Sequence, residues 1–383
     1  MTAGGDLAAA TGTPDARAGS SERGAASAHP ARTDSAGNAA ETTADLTVVA
    51  SYGRTAGSAR VRMFDWLDHL GLRAREHAYL GTSRLGTRAL AQRPLDVVRA
   101  EAGLRQLARR PGDAPVLLSR RASPLSSGRV EAAVLRRAAR GVYDFDDALA
   151  VSADGPFPLT KIWRRSVAAA DVVIAGNDLL AEQAAEISDN VVVIPSCVEP
   201  ELYVEKRDYA FETPTAVWIG SPSAESYLAT IARPLLEAHR RTGLRLRLVS
   251  AGNASLGMLD EIIDRVDWTP TGFAAALESA DVGIMPLPND PWTRGKCAYK
   301  LLQYAATGLP LIGTPVGANR GVVDGAHGWA PESGDEWLDA LLTCFELSPE
   351  ERAARGRTAR EFVTDHFSFA AWAPTWRAAV FGD

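Results

Sequence analysis

Short, continuously apolar segments alternate with helical patterns along most of this chain, and this alternation limits the possible folds more than any other feature. Strands that are buried on both faces are apolar along their whole length, whereas half-exposed strands alternate apolar and polar residues. Parallel sheets are built from the first kind. The sequence therefore predicts an α/β protein with helices on both sides of parallel sheets. The predicted strands are residues 46–50, 115–118, 141–143, 171–175, 191–194, 216–220, 244–249, 282–285 and 311–313.

A polar, proline-bearing stretch at about 200–214 interrupts the alternation and predicts a boundary between two domains. The chain has 383 residues, which is long enough for two hydrophobic cores. We predict two Rossmann-like domains, at 45–205 and 206–365, that face a cleft. Residues 1–44 have almost no large apolar side chains, so we predict a disordered tail there.

Composition argues against several classes of partner. The net charge of -6 disfavours nucleic acid or a membrane surface as the main partner. The three cysteines are widely spaced, which disfavours a metal-ligand pair and suits a reducing compartment. No apolar stretch approaches the roughly 20 residues that span a bilayer. The N-terminus also lacks the apolar core of a signal peptide. We expect a cytoplasmic protein with no nucleic-acid partner and no integral membrane segment.

The segment after the apolar strand at 282–285 predicts a helix that begins near Arg294. Lys296, Lys300 and Gln303 are spaced four and three residues apart, so on this helix they share one face. Two lysines and an amide beside a helix N-terminus indicate a place for phosphates and hydroxyls. A solvated basic face is the alternative interpretation.

Two further features of the second domain point to a nucleotide. Gly220 ends a predicted strand and permits a close backbone approach, and Ser221 and Pro222 are typical of a helix start that can hold a phosphate. A capped helix without a ligand is the alternative. Trp268 follows another strand-like segment and is a candidate for stacking on a nucleobase, although buried aromatic residues are common.

Three acidic residues, Asp144, Asp146 and Asp147, lie at the end of a first-domain strand. Because neighbouring carboxylates repel one another, a cation or a hydroxyl-rich ligand must compensate them. A general base or an acceptor for sugar hydroxyls is the functional interpretation. A following helix N-terminus that absorbs the charge is the alternative. No histidine accompanies these residues and the spacing is not that of a hard-cation loop, so we predict no metal site.

Four arginines follow first-domain strands. Arg60 and Arg62 lie in a predicted helix after the first strand, and Arg120 and Arg121 follow the next one. The planar guanidinium group suits anionic groups on a ligand. Surface arginines that pack their stems along the protein are the alternative interpretation.

The segment Lys300–Gly317, KLLQYAATGLPLIGTPVG, resembles the donor-site signature of retaining GT-B glycosyltransferases of the family four type, the glycosyl transferases group 1. Asp281–Leu287 is similar to the strand before that signature. Trp218–Pro222 resembles the first turn of the nucleotide-sugar lobe. The region around Ser368 resembles the C-terminal helix of these enzymes, which implies that residues 366–383 cross back to the first domain. The resemblance covers residue 46 to the end.

The resemblance implies a GT-B fold and metal-independent, retaining transfer of a hexosyl-type sugar to an acceptor hydroxyl. The nucleotide-diphosphate sugar would be the co-substrate, and no other cofactor is expected. Gln303 would bind the ribose hydroxyls, and Arg294, Lys296 and Lys300 would hold the diphosphate. The backbone at Gly220 and Ser221 would approach the phosphates, and Trp268 would lie against the base.

The same resemblance places the acceptor on the first domain. Asp146 and Asp147, together with Lys296, are the predicted catalytic residues. Arg60, Arg62 and Arg120 are the predicted acceptor-binding residues.

The sequence departs from the family pattern at two places. The first acid of the usual paired-glutamate motif is absent where the chain reads Pro291–Lys296, and the usual Arg and Lys are absent from Ser221–Glu225. A GT-B sugar-nucleotide epimerase and a non-catalytic nucleotide-sugar-binding subunit are therefore alternative functions. The sugar, the nucleobase, the acceptor and the oligomeric state stay open.

Overall fold

The computed structural model describes residues 44–82, 87–152 and 159–382. Apart from Ala44, the predicted tail lies outside these residues. The part of the chain that is described contains two parallel β-sheets, each flanked by helices.

The first sheet has six strands in the order β2-β1-β3-β4-β5-β6, and every neighbouring pair is parallel. Its strands are β1 (Leu46–Ala50), β2 (Ala74–Ala78), β3 (Val116–Ser119), β4 (Gly141–Phe145), β5 (Val172–Ala175) and β6 (Val191–Val193). β2 was not among the predicted strands. Its sequence, AREHA, is polar because this strand lies at the sheet edge and is only partly buried.

The second sheet has five parallel strands in the order β11-β10-β7-β8-β9. Its strands are β7 (Thr215–Ile219), β8 (Arg245–Ser250), β9 (Ile263–Asp267), β10 (Val282–Met285) and β11 (Leu311–Gly313). In both sheets the carboxyl ends of the strands lie at one edge, which is where ligands bind in folds of this class.

Helices connect the strands. Those of the first domain are α1 (Gly57–Ala59), a π-helix (Arg60–Phe64), α2 (Asp65–Leu70), α3 (Thr87–Gln92), α4 (Pro94–Arg109), α5 (Arg129–Arg137), α6 (Leu159–Val167) and α7 (Asp178–Ala185). Those of the second are α8 (Ala232–Thr242), α9 (Phe273–Glu278), α10 (Tyr299–Thr307), α11 (Asn319–Gly325), α12 (Gly334–Glu346) and α13 (Pro349–Phe367), and α14 (Phe369–Phe381) follows them. Short 3-10 turns lie at Leu149–Val151, Pro200–Leu202, Pro222–Ile231, Gly257–Glu261 and Thr293–Gly295.

The last helix, α14, packs on the first sheet. Ser368 separates it from α13 and caps it, since its hydroxyl accepts a hydrogen bond from Ala371 N at 3.1 Å. Trp376 of α14 stacks on Trp66 of α2 with ring centroids 5.3 Å apart. Phe369 meets the same ring edge-on at 4.8 Å. The chain therefore returns to the first domain after it has completed the second. Within the described ranges, no helix combines the length and apolar character needed to cross a membrane.

Candidate active site

Tyr304 fixes α10 on the second sheet, although the sequence analysis did not select it. β7 and β10 pair through only two residues of each strand. Beyond these paired residues in both strands, the Tyr304 hydroxyl accepts a hydrogen bond from Ile219 N at 3.0 Å and donates one to Ile284 O at 3.2 Å. A Cβ atom on Gly283 would lie 2.2 Å from the tyrosine ring, so only glycine allows this approach. The hydroxyl thereby bridges two strands where their own pairing ends.

This attachment holds Lys300, one turn earlier on α10, against the end of β7. The Lys300 ammonium lies 5.3 Å from the centroid of the Trp218 ring. A Cβ atom on Gly220 would lie 2.8 Å from Lys300 Cε and 2.5 Å from the Trp218 ring. The glycine predicted to permit a close approach therefore makes room for these two side chains. Burial, and then the charge of Lys296, lower the pKa of Lys300 to about 8, against the attraction of Asp147.

The prediction that the helix begins near Arg294 is wrong, because α10 begins at Tyr299. A 3-10 turn spans Thr293–Gly295, and Lys296 follows it with an extended backbone (φ -70°, ψ 143°). Lys296 and Lys300 therefore do not share a helix face. The chain turns through Ala298, which has a positive φ of 54°. This turn allows Lys296 to contact the first domain while Lys300 stays on the second sheet.

Asp147 receives two cations, one from each domain. Lys296 Nζ lies 2.6 Å from one carboxylate oxygen, and an Arg120 guanidinium nitrogen lies 2.8 Å from the other. Burial acts to raise the pKa of Asp147, but Arg120 and Lys296, with Lys300 farther away, hold it below its usual value. Arg120 and Lys296 thus compensate the negative charge of Asp147, in place of the helix N-terminus that was the alternative interpretation. A carboxylate held in this way stays ionised and is a weak proton acceptor.

The other two acids of the cluster have separate partners. The Ser58 hydroxyl lies 2.7 Å from both carboxylate oxygens of Asp146 and donates to this carboxylate. Arg62 binds Asp144 with two of its nitrogens, the shorter contact being 2.6 Å, and also donates to Ile194 O at 2.9 Å. The acceptor-binding role predicted for Arg62 is therefore replaced by a structural one, since this side chain is only 1% exposed.

Arg60 begins the π-helix and points toward the second domain. One of its terminal nitrogens lies 3.3 Å from Asp65, and Tyr299 and Tyr203 lie beside its guanidinium group. Its Nε is buried, without a hydrogen-bond partner among the described residues. The structure therefore places Arg60 next to the start of α10 and not next to Asp147.

The segment that carries Lys296 is bound to the first domain by Asn177. The Asn177 amide donates to Gly295 O at 3.1 Å and to Lys296 O at 3.3 Å. Its own Oδ1 caps α7 by accepting from Leu180 N at 3.0 Å. A Cβ atom on the preceding Gly176 would lie 2.5 Å from Cys297 Sγ. The two domains thus meet at the carboxyl ends of their strands.

The remaining candidates lie around Lys300 or at the edge of the second sheet. Gln303 is buried on α10 beside the Tyr203 hydroxyl. Arg294 is exposed, and its Nε donates to Asn289 at 2.7 Å. Ser221 has the extended backbone of a helix-capping residue, but it forms no capping bond and the turn after it is a 3-10 helix. Trp268 follows β9 and stacks on Phe273 at 6.2 Å.

The second domain concentrates positive charge around the start of α10. Lys300 lies on α10 at the carboxyl end of β7, and Lys296 and Arg294 precede this helix in the chain. Among the described residues, no group of three or more His, Cys, Asp or Glu side chains is placed to hold a metal ion. Chemically, the site can accept an anion such as a diphosphate on one side and hydroxyl groups at two carboxylates on the other.

Residues 213–346 match the family Glycosyl transferases group 1. This stretch includes the second sheet, Gly220 and all of α10. No curated protein is significantly similar to the chain in sequence.

Solved structures of glycosyltransferases align with most of the chain. WaaG, a glycosyltransferase involved in lipopolysaccharide biosynthesis, is 13% identical with a TM-score of 0.61, and the alignment covers 88% of this chain and 100% of WaaG. HepE of Anabaena in complex with UDP-glucose gives the same identity, coverage and TM-score. An α,α-trehalose-phosphate synthase (UDP-forming) from Burkholderia vietnamiensis is 12% identical, with a TM-score of 0.60 and coverage of 88% and 100%. These similarities confirm the predicted GT-B fold.

Proposed function

We propose that this protein is a retaining glycosyltransferase that moves a sugar from a nucleotide-diphosphate sugar to an acceptor hydroxyl without a metal ion. The observation that carries the proposal is the half-buried Lys300 side chain, which packs against Gly220 and Trp218 within the stretch that matches the family. A half-buried cation at the end of a strand stabilises a diphosphate most strongly while negative charge develops on it. Because HepE was solved with UDP-glucose, UDP-sugars are the donors to test first.

The second domain supplies the donor side of the reaction. Lys300 and Lys296, helped by Arg294, neutralise the departing diphosphate. Lys296 has three N–H donors and uses one on Asp147, which leaves donors for phosphate oxygens. Gln303 is assigned to the ribose, Trp268 to the base, and the Gly220–Ser221 backbone to the phosphates. In this proposal lysine charges do the work that a divalent cation does in other transferases.

The first domain supplies the acceptor side. Asp146 and Asp147 accept hydrogen bonds from sugar hydroxyls, and Arg120 keeps Asp147 ionised and in place. The low pKa of Asp147 makes it a positioning group for the acceptor or the donor sugar rather than a base. The sugar C1–O bond to phosphate breaks, and a new C1–O bond to the acceptor forms on the same face. The acceptor proton passes to the departing phosphate oxygen, so no protein base is required.

The decisive experiment measures nucleotide diphosphate release from a panel of nucleotide sugars, with and without candidate acceptors. Release that depends on the acceptor, with retained anomeric configuration in the product, supports the proposal. Interconversion of the sugar nucleotide without an acceptor would instead indicate an epimerase. Tight binding of a nucleotide without turnover across the panel would indicate a binding subunit and contradict the proposed activity.

A cytoplasmic location belongs to the same proposal. The three cysteines are free and do not pair with one another. Free thiols suit a reducing compartment, where nucleotide sugars are also the natural donors. Fractionation of cells that produce the protein, with a cytoplasmic marker as control, tests this part separately.

A further inference from the structure

Arg121 differs from the other arginines around the first-domain strand ends. Arg54, Arg60, Arg62 and Arg120 each contact a carboxylate within 4 Å. Arg121 has no carboxylate partner among the described residues. One of its terminal nitrogens donates to the Tyr52 hydroxyl at 3.3 Å, and its guanidinium carbon lies 5.9 Å from the centroid of the same ring. Most of its five N–H donors are therefore available to a ligand.

Arg120, the residue before Arg121, has an uncommon backbone conformation. Arg120 has a φ of 58°, which residues other than glycine rarely adopt and which recurs at functional sites. The Tyr143 hydroxyl holds this turn by donating to Arg120 O at 2.8 Å, and Arg121 N donates to Ser119 O at 2.7 Å. As a result, consecutive arginines have different partners. Arg120 binds Asp147, and Arg121 lies on Tyr52.

Hydrogen bonds to two buried or half-buried glutamates hold the loop that follows Arg121. Glu131 is fully buried and accepts a hydrogen bond from Ala122 N at 3.0 Å and another from the Ser126 hydroxyl. The Ser123 hydroxyl donates to Glu101 at 2.5 Å. A held backbone and the contact with Tyr52 reduce the conformational entropy that Arg121 loses when it binds an anion in a bidentate manner.

The segments that follow β1 and β3 also contact the carboxylates to which acceptor hydroxyls are assigned. Tyr52 and Ser58 belong to the segment after β1. Tyr52 contacts Arg121, while Ser58 donates to Asp146. Arg120, covalently next to Arg121, binds Asp147. The unpaired Arg121 therefore belongs to the same segment as the arginine that holds Asp147, and it contacts the same β1 loop that supplies Ser58 to Asp146.

We propose that Arg121 binds an anionic group on the acceptor, which is a sugar or polyol that carries a phosphate or a carboxylate. This inference rests on the proposed function, because it assigns the acceptor to the first domain. The hydroxyl to be glycosylated lies at Asp146 and Asp147, and the anionic group lies at Arg121. Phosphate and carboxylate share the planar, bidentate recognition that arginine provides.

The test is a calorimetric titration of the full chain with matched neutral and anionic compounds, in the presence of saturating UDP. UDP keeps phosphate probes away from Lys300 and Lys296. The compounds are glycerol and glycerol phosphate, glucose and glucose 6-phosphate, and glucuronate. We expect at least one anionic compound to bind roughly ten to a hundred times more tightly than its neutral counterpart. A charge-assisted hydrogen-bonded pair has a strength of this order.

The variants are Arg121→Gln, Arg121→Lys and, as control, Arg129→Gln. Arg129 is an exposed arginine at the start of α5. Arg121→Gln should remove the preference for the anionic compound, Arg121→Lys should keep part of it, and Arg129→Gln should keep all of it. UDP affinity and the melting temperature should stay unchanged in Arg121→Gln, which excludes misfolding as the cause.

The inference is overturned if no anionic compound binds more tightly than its neutral counterpart, or if Arg121→Gln retains the preference. Failure of the proposed function has a different result. In that case no nucleotide sugar is turned over in an acceptor-dependent manner, whatever the binding titrations show. Transfer to anionic acceptors at equal rates by wild type and Arg121→Gln would keep the transferase and reject the role of Arg121.

Discussion

Replacing Lys300 by Met should make the folded protein more stable at neutral pH and at the same time remove donor binding. Met has a similar length and no charge, so it fills the space between Trp218 and Gly220 without the cost of a buried cation. Structural lysines show the opposite behaviour, because their loss breaks an ion pair. Lys300 has no carboxylate within 4 Å among the described residues, so its removal breaks no such pair.

The pKa of Lys300 determines the size of the effect. The ordinary value for lysine is 10.5, and burial together with Lys296 lowers it to about 8 in the folded protein. This difference corresponds to up to about 3 kcal/mol of unfolding free energy. Between pH 8 and 10.5 the unfolded chain binds more protons than the folded one, so wild-type stability rises with pH in this window. Below pH 8 the wild type is destabilised by the full unfavourable free energy of the Lys300 charge.

Urea unfolding of both proteins at pH 7, 8.5 and 10 measures this effect. We expect Lys300→Met to be more stable than wild type by up to about 3 kcal/mol at pH 7, with the difference closing toward pH 10.5. UDP affinity, measured by calorimetry at pH 7, should fall roughly ten- to a hundredfold, because a charge-assisted contact to the diphosphate is lost. In the wild type, UDP affinity should decline above pH 8 as the amine loses its proton. The exposed Lys161→Met is the control and should change neither quantity.

A lower stability of Lys300→Met at pH 7 would refute the claim that Lys300 is held as an unfavourable buried cation. An unchanged UDP affinity would remove Lys300 from the donor site. The two outcomes are independent, so the experiment separates the electrostatic argument from the functional one.

Three further variants test other parts of the structure. Tyr304→Phe removes both hydrogen bonds that bridge two strands, so we expect the unfolding free energy in urea to fall by roughly 1–3 kcal/mol and UDP affinity to weaken with it. Arg62→Met leaves Asp144 buried without its cation, and a loss of about 3–5 kcal/mol is expected by the same method; a variant as stable as wild type would contradict the structural role of this pair. Asp147→Asn frees Lys296, so UDP should bind at least as tightly as in wild type while acceptor-dependent turnover falls more than roughly tenfold. Equal turnover in Asp147→Asn would show that this carboxylate does not serve the acceptor.

Local sequence patterns were sufficient to predict the fold class. A strand that is buried on both faces must be apolar along its whole length, and segments such as Val282–Met285 therefore stand out in the sequence. The edge strand Ala74–Ala78 was missed for the complementary reason, since partial exposure lets it be polar. The break between α13 and α14 was also predictable, because the Ser368 cap acts within four residues.

The candidate site was only partly predictable. The spacing of Lys300 and Gln303 on a helix was visible in the sequence and agrees with α10. The helix start was predicted too early, because the turn at Ala298 has a positive φ that alanine rarely adopts. Lys296 was consequently placed on the wrong element, and its contact with the first domain was not foreseen.

The sequence by itself determined the two parallel sheets, the boundary between them and the presence of cations before the segment Gly308–Leu309–Pro310. Only the tertiary structure decided what each charge does. Arg62 and Asp144 are 82 residues apart, and Lys296 and Asp147 are 149 apart. Periodicity and capping act over a few residues, whereas these pairs form where the carboxyl ends of strands from distant parts of the chain meet. Which cations are neutralised by the protein, and which remain for a ligand, is therefore a property of the folded chain.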